Sequence, residues 1–146
     1  MTESLTNRQQ LSHFDEIVEL FEKKKLISRK VYEKFTTAIA NHDHEEFIIQ
    51  GEIIIRGILI KIIRRLHINI EEYCGINTIL NVSWNYHIIT NERIYAYLWV
   101  FARAAQQIRN DDLVIASHEA LMHASIFFGF LIELNKKLTE YPQLEF

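Results

Sequence analysis

Phe47-Ile48-Ile49-Gln50-Gly51-Glu52-Ile53-Ile54-Ile55-Arg56-Gly57-Ile58-Leu59-Ile60-Lys61-Ile62-Ile63-Arg64-Arg65-Leu66 is the stretch whose reading decides the fold. Its many isoleucines favour strand locally. The run is nonetheless too long for a strand and has no turn-forming cluster, so it reads as a helix over about Glu45 to His67. Asp43 is placed to cap it, and Glu45 and Glu46 fall in the first turn, where the helix dipole favours negative charge. Apolar residues cover more than one face of this helix. Such a helix is either central in a bundle or shared with a second subunit. Glu52, Arg56, Lys61, Arg64 and Arg65 within the run argue against a membrane span.

The rest of the chain reads as helix on both sides of it. Only four glycines and one proline interrupt 146 residues, and that scarcity of breakers favours helices. Leu11, Phe14, Val18 and Phe21 follow the spacing of one helical face, closed by Lys23-Lys24-Lys25. Ser28 is expected to cap a second helix carrying Val31, Phe35, Ala38 and Ile39. After the long apolar helix, residues 68–89 read as irregular, with short helical turns near Ile70–Tyr73 and Thr78–Tyr86. Thr90 is expected to cap a strong helix with the stripe Ile94, Leu98, Phe101, Ala102, Ala105 and Ile108. Ser117 is expected to cap the last helix, whose stripe is Leu121, Ala124, Phe128, Leu131 and Leu138, with Phe127 and Ile132 adjacent. On that register His118 shares the stripe's face and His123 points away. The expected fold is all-α: a single domain over residues 1–146, a bundle of five or six helices with a central, largely apolar third helix.

Composition narrows the function. The chain is 49% hydrophobic and 12% aromatic, which supports a packed core rather than disorder. A net charge of −3 provides no global field to attract nucleic acid, so any RNA contact would be local. One cysteine, Cys74, excludes an internal disulfide and a multi-cysteine zinc site and suits a reducing cytoplasm. The first residues, Met1-Thr2-Glu3-Ser4-Leu5-Thr6-Asn7-Arg8, lack the apolar core of a signal peptide. No cofactor is expected, because no glycine-rich phosphate loop and no Ser-His-Asp order is visible.

The candidate chemistry lies where two helices meet. The short connector from Asn110 to Ala116 makes the flanking helices antiparallel neighbours. Arg109 lies about 60° from the centre of its helix's apolar stripe, so it points along the core-facing edge and can approach His118. An arginine fork suits phosphate oxygens, and a histidine in the first turn of a helix is favoured as a neutral, base-competent ring. The competing structural role for Arg109 is to cap carbonyls at its helix end and pair with Asp111, Asp112 or Glu119, and the two aspartates would repel a phosphate there.

Arg56 within an apolar helix, Ala105-Gln106-Gln107-Ile108-Arg109-Asn110 and Ser117-His118-Glu119-Ala120-Leu121 together resemble the HEPN family. These are helical-bundle proteins of prokaryotic defence, toxin–antitoxin and RNA-processing systems. The resemblance covers roughly Glu45 to Leu138. It implies a helical bundle, a homodimer and, in active members, metal-independent ribonuclease chemistry with an Arg and a His four to six residues apart. Here the positions that spacing would give to His hold Val114, Ile115 and Ala116, and His118 stands further on. The expected function is therefore a non-catalytic interaction module that meets a protein partner. The alternative is a ribonuclease using Arg109 and His118, with Asn110, Arg64 and Arg65 as RNA-contacting residues.

Other residues have plainer expectations. Arg56 pairs with Glu52, one turn before it. Lys61, Arg64, Arg65 and His67 form a small basic patch at a solvated helix end. His42-Asp43-His44-Glu45-Glu46 holds metal-ligating residue types at a loop and helix start, and no metal site is expected from it. His118 and His123 lie roughly 140° apart on a helix and are not the zinc pair of metalloproteases. Trp84, Tyr86, Tyr95, Tyr97 and Trp99 form an aromatic zone assigned chiefly to packing, with base stacking as the lesser role.

Overall fold

Asp43 begins the central helix as expected: its side chain accepts from the Glu46 N–H at 3.4 Å, and its backbone opens α3 (His44–Arg65). The computed structural model describes residues 14–71, 74–110 and 114–140. Around α3 stand α1 (residues 14–23), α2 (Arg29–Ala40), α4 (Ile76–Asn85), α5 (Glu92–Arg109) and α6 (Ser117–Glu140), with no strand among the described residues. Leu11, Glu72, Tyr73, Asp111 and Asp112 lie outside the described residues, so the expectations placed on them have no counterpart here.

Helix α3 packs against α2, α4, α5 and α6, which accounts for its want of a wide polar face. Ile48, Ile54, Ile55, Ile58, Leu59, Ile62 and Ile63 are all buried in one cluster that draws on all six helices. No large apolar side chain of α3 is exposed. Much of the apolar surface of α3 is thus covered within the chain, while Ile49, Ile53, Ile60 and Leu66 stay half-buried. Antiparallel packing of α5 and α6 is present: Ile94 reaches Gly129 while Phe101 meets His123 further along.

Two glycines of α3 have opposite surroundings. A Cβ on Gly51 would lie 2.8 Å from Cζ of Phe101 and 3.3 Å from Cε2 of Phe35. Both rings are fully buried, so neither can yield. Gly51 is what lets α2 and α5 approach α3. A Cβ on Gly57 would meet nothing within 4 Å.

Four helices end without glycine. Lys25, His42, His67 and His87 each adopt left-handed backbone, with φ between 56° and 61°. Each belongs to a paired closing motif. At the end of α1, for example, the Lys25 N–H donates to the Glu22 carbonyl and the Leu26 N–H to the Phe21 carbonyl, both at 2.9 Å. The residue after the left-handed one is Leu26, Ile68 or Ile88 in three cases, and each packs on the core, as this motif favours. The helical turn expected near Thr78–Tyr86 is the greater part of a ten-residue helix, α4.

Three local expectations need correction. Asn91, not Thr90, caps α5; its side chain accepts from the Arg93 and Ile94 N–H groups at 3.0 and 3.1 Å. Ser117 is the first residue of α6 rather than its cap, and the Ala116 carbonyl accepts the first bond. The buried residues of α6 are Ala120, His123, Ile126, Phe127, Phe130, Leu131, Leu134 and Leu138, so Leu131 and Leu138 lie inside as expected. Leu121, expected in the core, is 71% exposed, and His123, expected outside, is 3% exposed. The register turned because Ala120 and His123 continue the 3,4 spacing set by Phe127 and Leu134, which Leu121 does not.

Gly51→Ala is expected to destabilise the fold by about 1–3 kcal/mol through overpacking, although alanine is the better helix former. Gly57→Ala should stabilise by about 0.5–1 kcal/mol. Urea unfolding of the two variants checks both, and the reverse order would refute the close approach of Phe101 to α3.

Candidate functional site at the α5–α6 junction

The last turn of α5 carries Arg109 to the edge of α3, where it meets a carboxylate. Its Nη2 donates to Oε2 of Glu52 at 2.6 Å. Glu52 is 2% exposed, and an isolated buried carboxylate would be very costly. Arg56, one turn along α3, brings its Nε to 3.9 Å from Glu52 Oε1. The Arg56–Glu52 pairing is therefore present, but the short bond belongs to Arg109. Both guanidiniums remain partly solvated, at 41% and 39% side-chain exposure. Two turns before Glu52 on the same face, Glu45 Oε1 accepts from the Ile115 N–H at 3.4 Å. Helix α3 thus holds both sides of the α5–α6 connection.

His118 stands exposed in the first turn of α6 and makes no hydrogen bond or ion pair among the described residues. No hydrogen bond among the described residues joins it to Arg109, whose Nη2 is bonded to Glu52 and not to Glu119; the expected pairing of Arg109 with Asp111 or Asp112 falls outside the described residues. The junction brings the two helix ends together without joining the two candidate catalytic side chains. Asn110 is the exposed C-cap of α5, its N–H donating to the Gln106 carbonyl at 3.2 Å. Arg64 is exposed at the end of α3. Arg65 instead turns back, its Nη2 donating to the Lys24 carbonyl at 2.7 Å and so closing the end of α1. Partial burial, with Arg65 nearby, pushes the Lys61 ammonium below its usual range. The two rings of His42 and His44 stand 6.3 Å apart, and no group of three potential metal ligands occurs among the described residues.

His123 is the ionisable group that the sequence reading placed on the wrong face. Its ring stands edge-on to Phe101 at 5.5 Å, and its Nδ1 has no hydrogen-bond partner among the described residues. Burial lowers its pKa, and the Glu119 carboxylate one turn earlier only partly opposes this. For Glu52 the expected Arg56 pairing holds, and the signal for its additional Arg109 bond is that it is the sole carboxylate in the apolar body of α3, within reach of a cation from a neighbouring helix. No helix among the described residues is long and apolar enough to cross a membrane. Comparison with protein-family models, with curated proteins and with solved structures finds no match to this chain.

Removing either side of the Glu52–Arg109 bond should cost about 2–3 kcal/mol, less than a fully buried pair because the guanidiniums are partly solvated. Urea unfolding of Glu52→Ala and Arg109→Ala measures it, and a double variant no worse than either single one is expected from residues acting as a unit.

The lowered pKa of His123 sets a direction with pH. The unfolded chain takes up the proton near 6.5, whereas the folded chain resists it to lower pH. Stability should be fullest above about pH 6.5 and fall as the pH drops below it. Unfolding midpoints measured at about pH 7 and about pH 5 should diverge less in His123→Leu than in the wild type; equal divergence would remove His123 as the cause.

Proposed function

We propose that this chain is a non-catalytic, HEPN-like helical interaction module of a bacterial defence, toxin–antitoxin or immunity system, working in the cytoplasm. One observation carries the reading: the guanidinium that would hold a phosphate is committed at 2.6 Å to a buried carboxylate. A phosphate would compete with Glu52 for this guanidinium, and drawing Arg109 away would leave the Glu52 charge buried and poorly compensated. The apolar surface for a protein partner lies beside this junction. Val114 is 83% exposed and Leu121 71% exposed, with Met122 also in solvent. On this reading the chain also self-associates, and does so through this patch.

The alternative, a metal-independent ribonuclease using Arg109 and His118, draws support from one feature. His118 is solvent-facing at the same junction where Arg109 retains 39% exposure. A proton-transferring imidazole and a cation at one helix junction are the minimum that cleavage by a 2′-hydroxyl needs.

Two measurements on purified protein separate the readings. The interaction module should leave RNA intact in chelator, and light scattering should show an assembly that Leu121→Glu reduces in size. Chelator-resistant cleavage that His118→Ala abolishes would overturn it in favour of the ribonuclease. His118 is the cleaner probe, because it is exposed and its loss leaves the Glu52–Arg109 bond in place.

A further inference from the structure

The outer face of α4 and α5 carries a hollow that neither reading uses. Its volume is about 390 Å³, and Asn77, Trp99, Val100, Arg103 and Gln106 line it. That size falls in the range of small-ligand sites. Trp99, Arg103 and Gln106 follow one another at four and three residues, so they form a single outward stripe on α5. Asn77 faces them from α4.

The indole is held before any ligand arrives. Trp99 stands edge-on to Tyr95, with ring centroids 6.1 Å apart and planes at 88°. Tyr95 in turn stacks on Trp84 at 4.6 Å, and its hydroxyl donates to Asn81 Oδ1 at 3.1 Å. A half-buried aromatic fixed in this way loses little freedom on binding, which favours affinity. Around it the polar groups are unspent. Asn77, Arg103 and Gln106 are exposed, and their side chains make no hydrogen bond or ion pair among the described residues. No acidic side chain lines the hollow, so the Arg103 charge is not neutralised there, although the chain as a whole is negative.

We infer that this hollow is a nucleotide site, in which Trp99 stacks a nucleobase, Arg103 binds the adjoining phosphate, and the Asn77 and Gln106 amides meet the base edge or sugar. The chemistry is specific in kind. A planar ring stacks on an indole, an anionic oxygen suits a guanidinium fork, and side-chain amides both donate and accept. Two other hollows among the described residues lack the combination. That of Lys30, Glu33, Lys34, Asp43 and Glu46 mixes charges of both signs, and that beside Phe14, Tyr32 and Phe128 has an apolar wall with Asp15 and Glu33 at its edge. The inference is independent of whether Arg109 and His118 cleave RNA, since it uses neither residue.

Tryptophan fluorescence of the full chain tests it, because Trp84 and Trp99 are the only tryptophans. The probes are adenosine, adenosine monophosphate and a short 5′-phosphorylated oligoadenylate. Saturable quenching by the monophosphate or the oligonucleotide, and much weaker quenching by adenosine, is the expected result. Saturation by the monophosphate alone as tightly as by the oligonucleotide would mark a free nucleotide as the ligand, and tighter binding of the oligonucleotide would mark a single strand. Trp99→Ala should weaken binding about tenfold or more, and Arg103→Ala should weaken it while reducing the dependence on salt by about one phosphate contact. Trp99→Phe, which keeps a stacking ring and the fold, should retain most of the affinity when binding is read by calorimetry. Absence of binding by all three probes, or binding unchanged in folded Trp99→Ala and Arg103→Ala, would overturn the proposal.

Discussion

A single buried carboxylate organises the half of the bundle where α5 turns into α6. Glu52 sits in the middle of a helix otherwise filled with isoleucine, where an uncompensated charge would be prohibitive. It is tolerable only because Arg109 arrives from the end of α5 at 2.6 Å and Arg56 stands one turn away. That requirement fixes where α5 must end against α3. The neighbouring Gly51 makes the approach feasible, since any side chain there would collide with Phe101. Glu45 then engages the backbone at Ile115 and fixes the start of the return path. The direction in which α6 leaves the junction, and with it the exposure of His118, follows from these two glutamates of α3.

The same anchoring bears on chemistry. A guanidinium with a carboxylate at hydrogen-bonding distance is satisfied, and its attraction for a second anion is reduced by the field of the first. The residues best placed by sequence for catalysis are therefore those the fold employs to hold itself together. Arg65 shows the same economy at the other end of α3, where it closes α1 through the Lys24 carbonyl. Cations that keep their charge free for a ligand are instead found on outward stripes such as that of Arg103.

Helix α6 shows how a small shift in register redistributes function over a surface. With Ala120 and His123 inside, the imidazole enters a desolvated pocket against Phe101, where its charged form is disfavoured. With Leu121 and Met122 outside, two large apolar side chains flank the junction together with Val114. One rotation of the helix thus supplies both an acid-sensitive core contact and an apolar patch.

The sequence by itself determined the helical class, the central place of the isoleucine-rich helix, the Asp43 cap, the Arg56–Glu52 pairing and the antiparallel packing of α5 and α6. All of these follow from spacing along one helix or from the length of one connector. Other features were decided only in three dimensions. The chain turns at Lys25, His42, His67 and His87 in left-handed backbone, which costs a non-glycine residue about 1–2 kcal/mol before its compensating hydrogen bonds and core contacts are counted. Composition gives no sign of a conformation that is disfavoured locally and repaired by packing. Likewise, Leu121 and Ala120 are adjacent, and hydropathy alone prefers leucine inside; the facing helices have room for the alanine and the imidazole. Arg109 could be assigned to the core-facing edge of α5, but its partner lies 57 residues away in the chain. Only the packing of α5 on α3 brings Glu52 beneath it, because a long-range ion pair is set by where two helices cross and not by the residues that flank either charge.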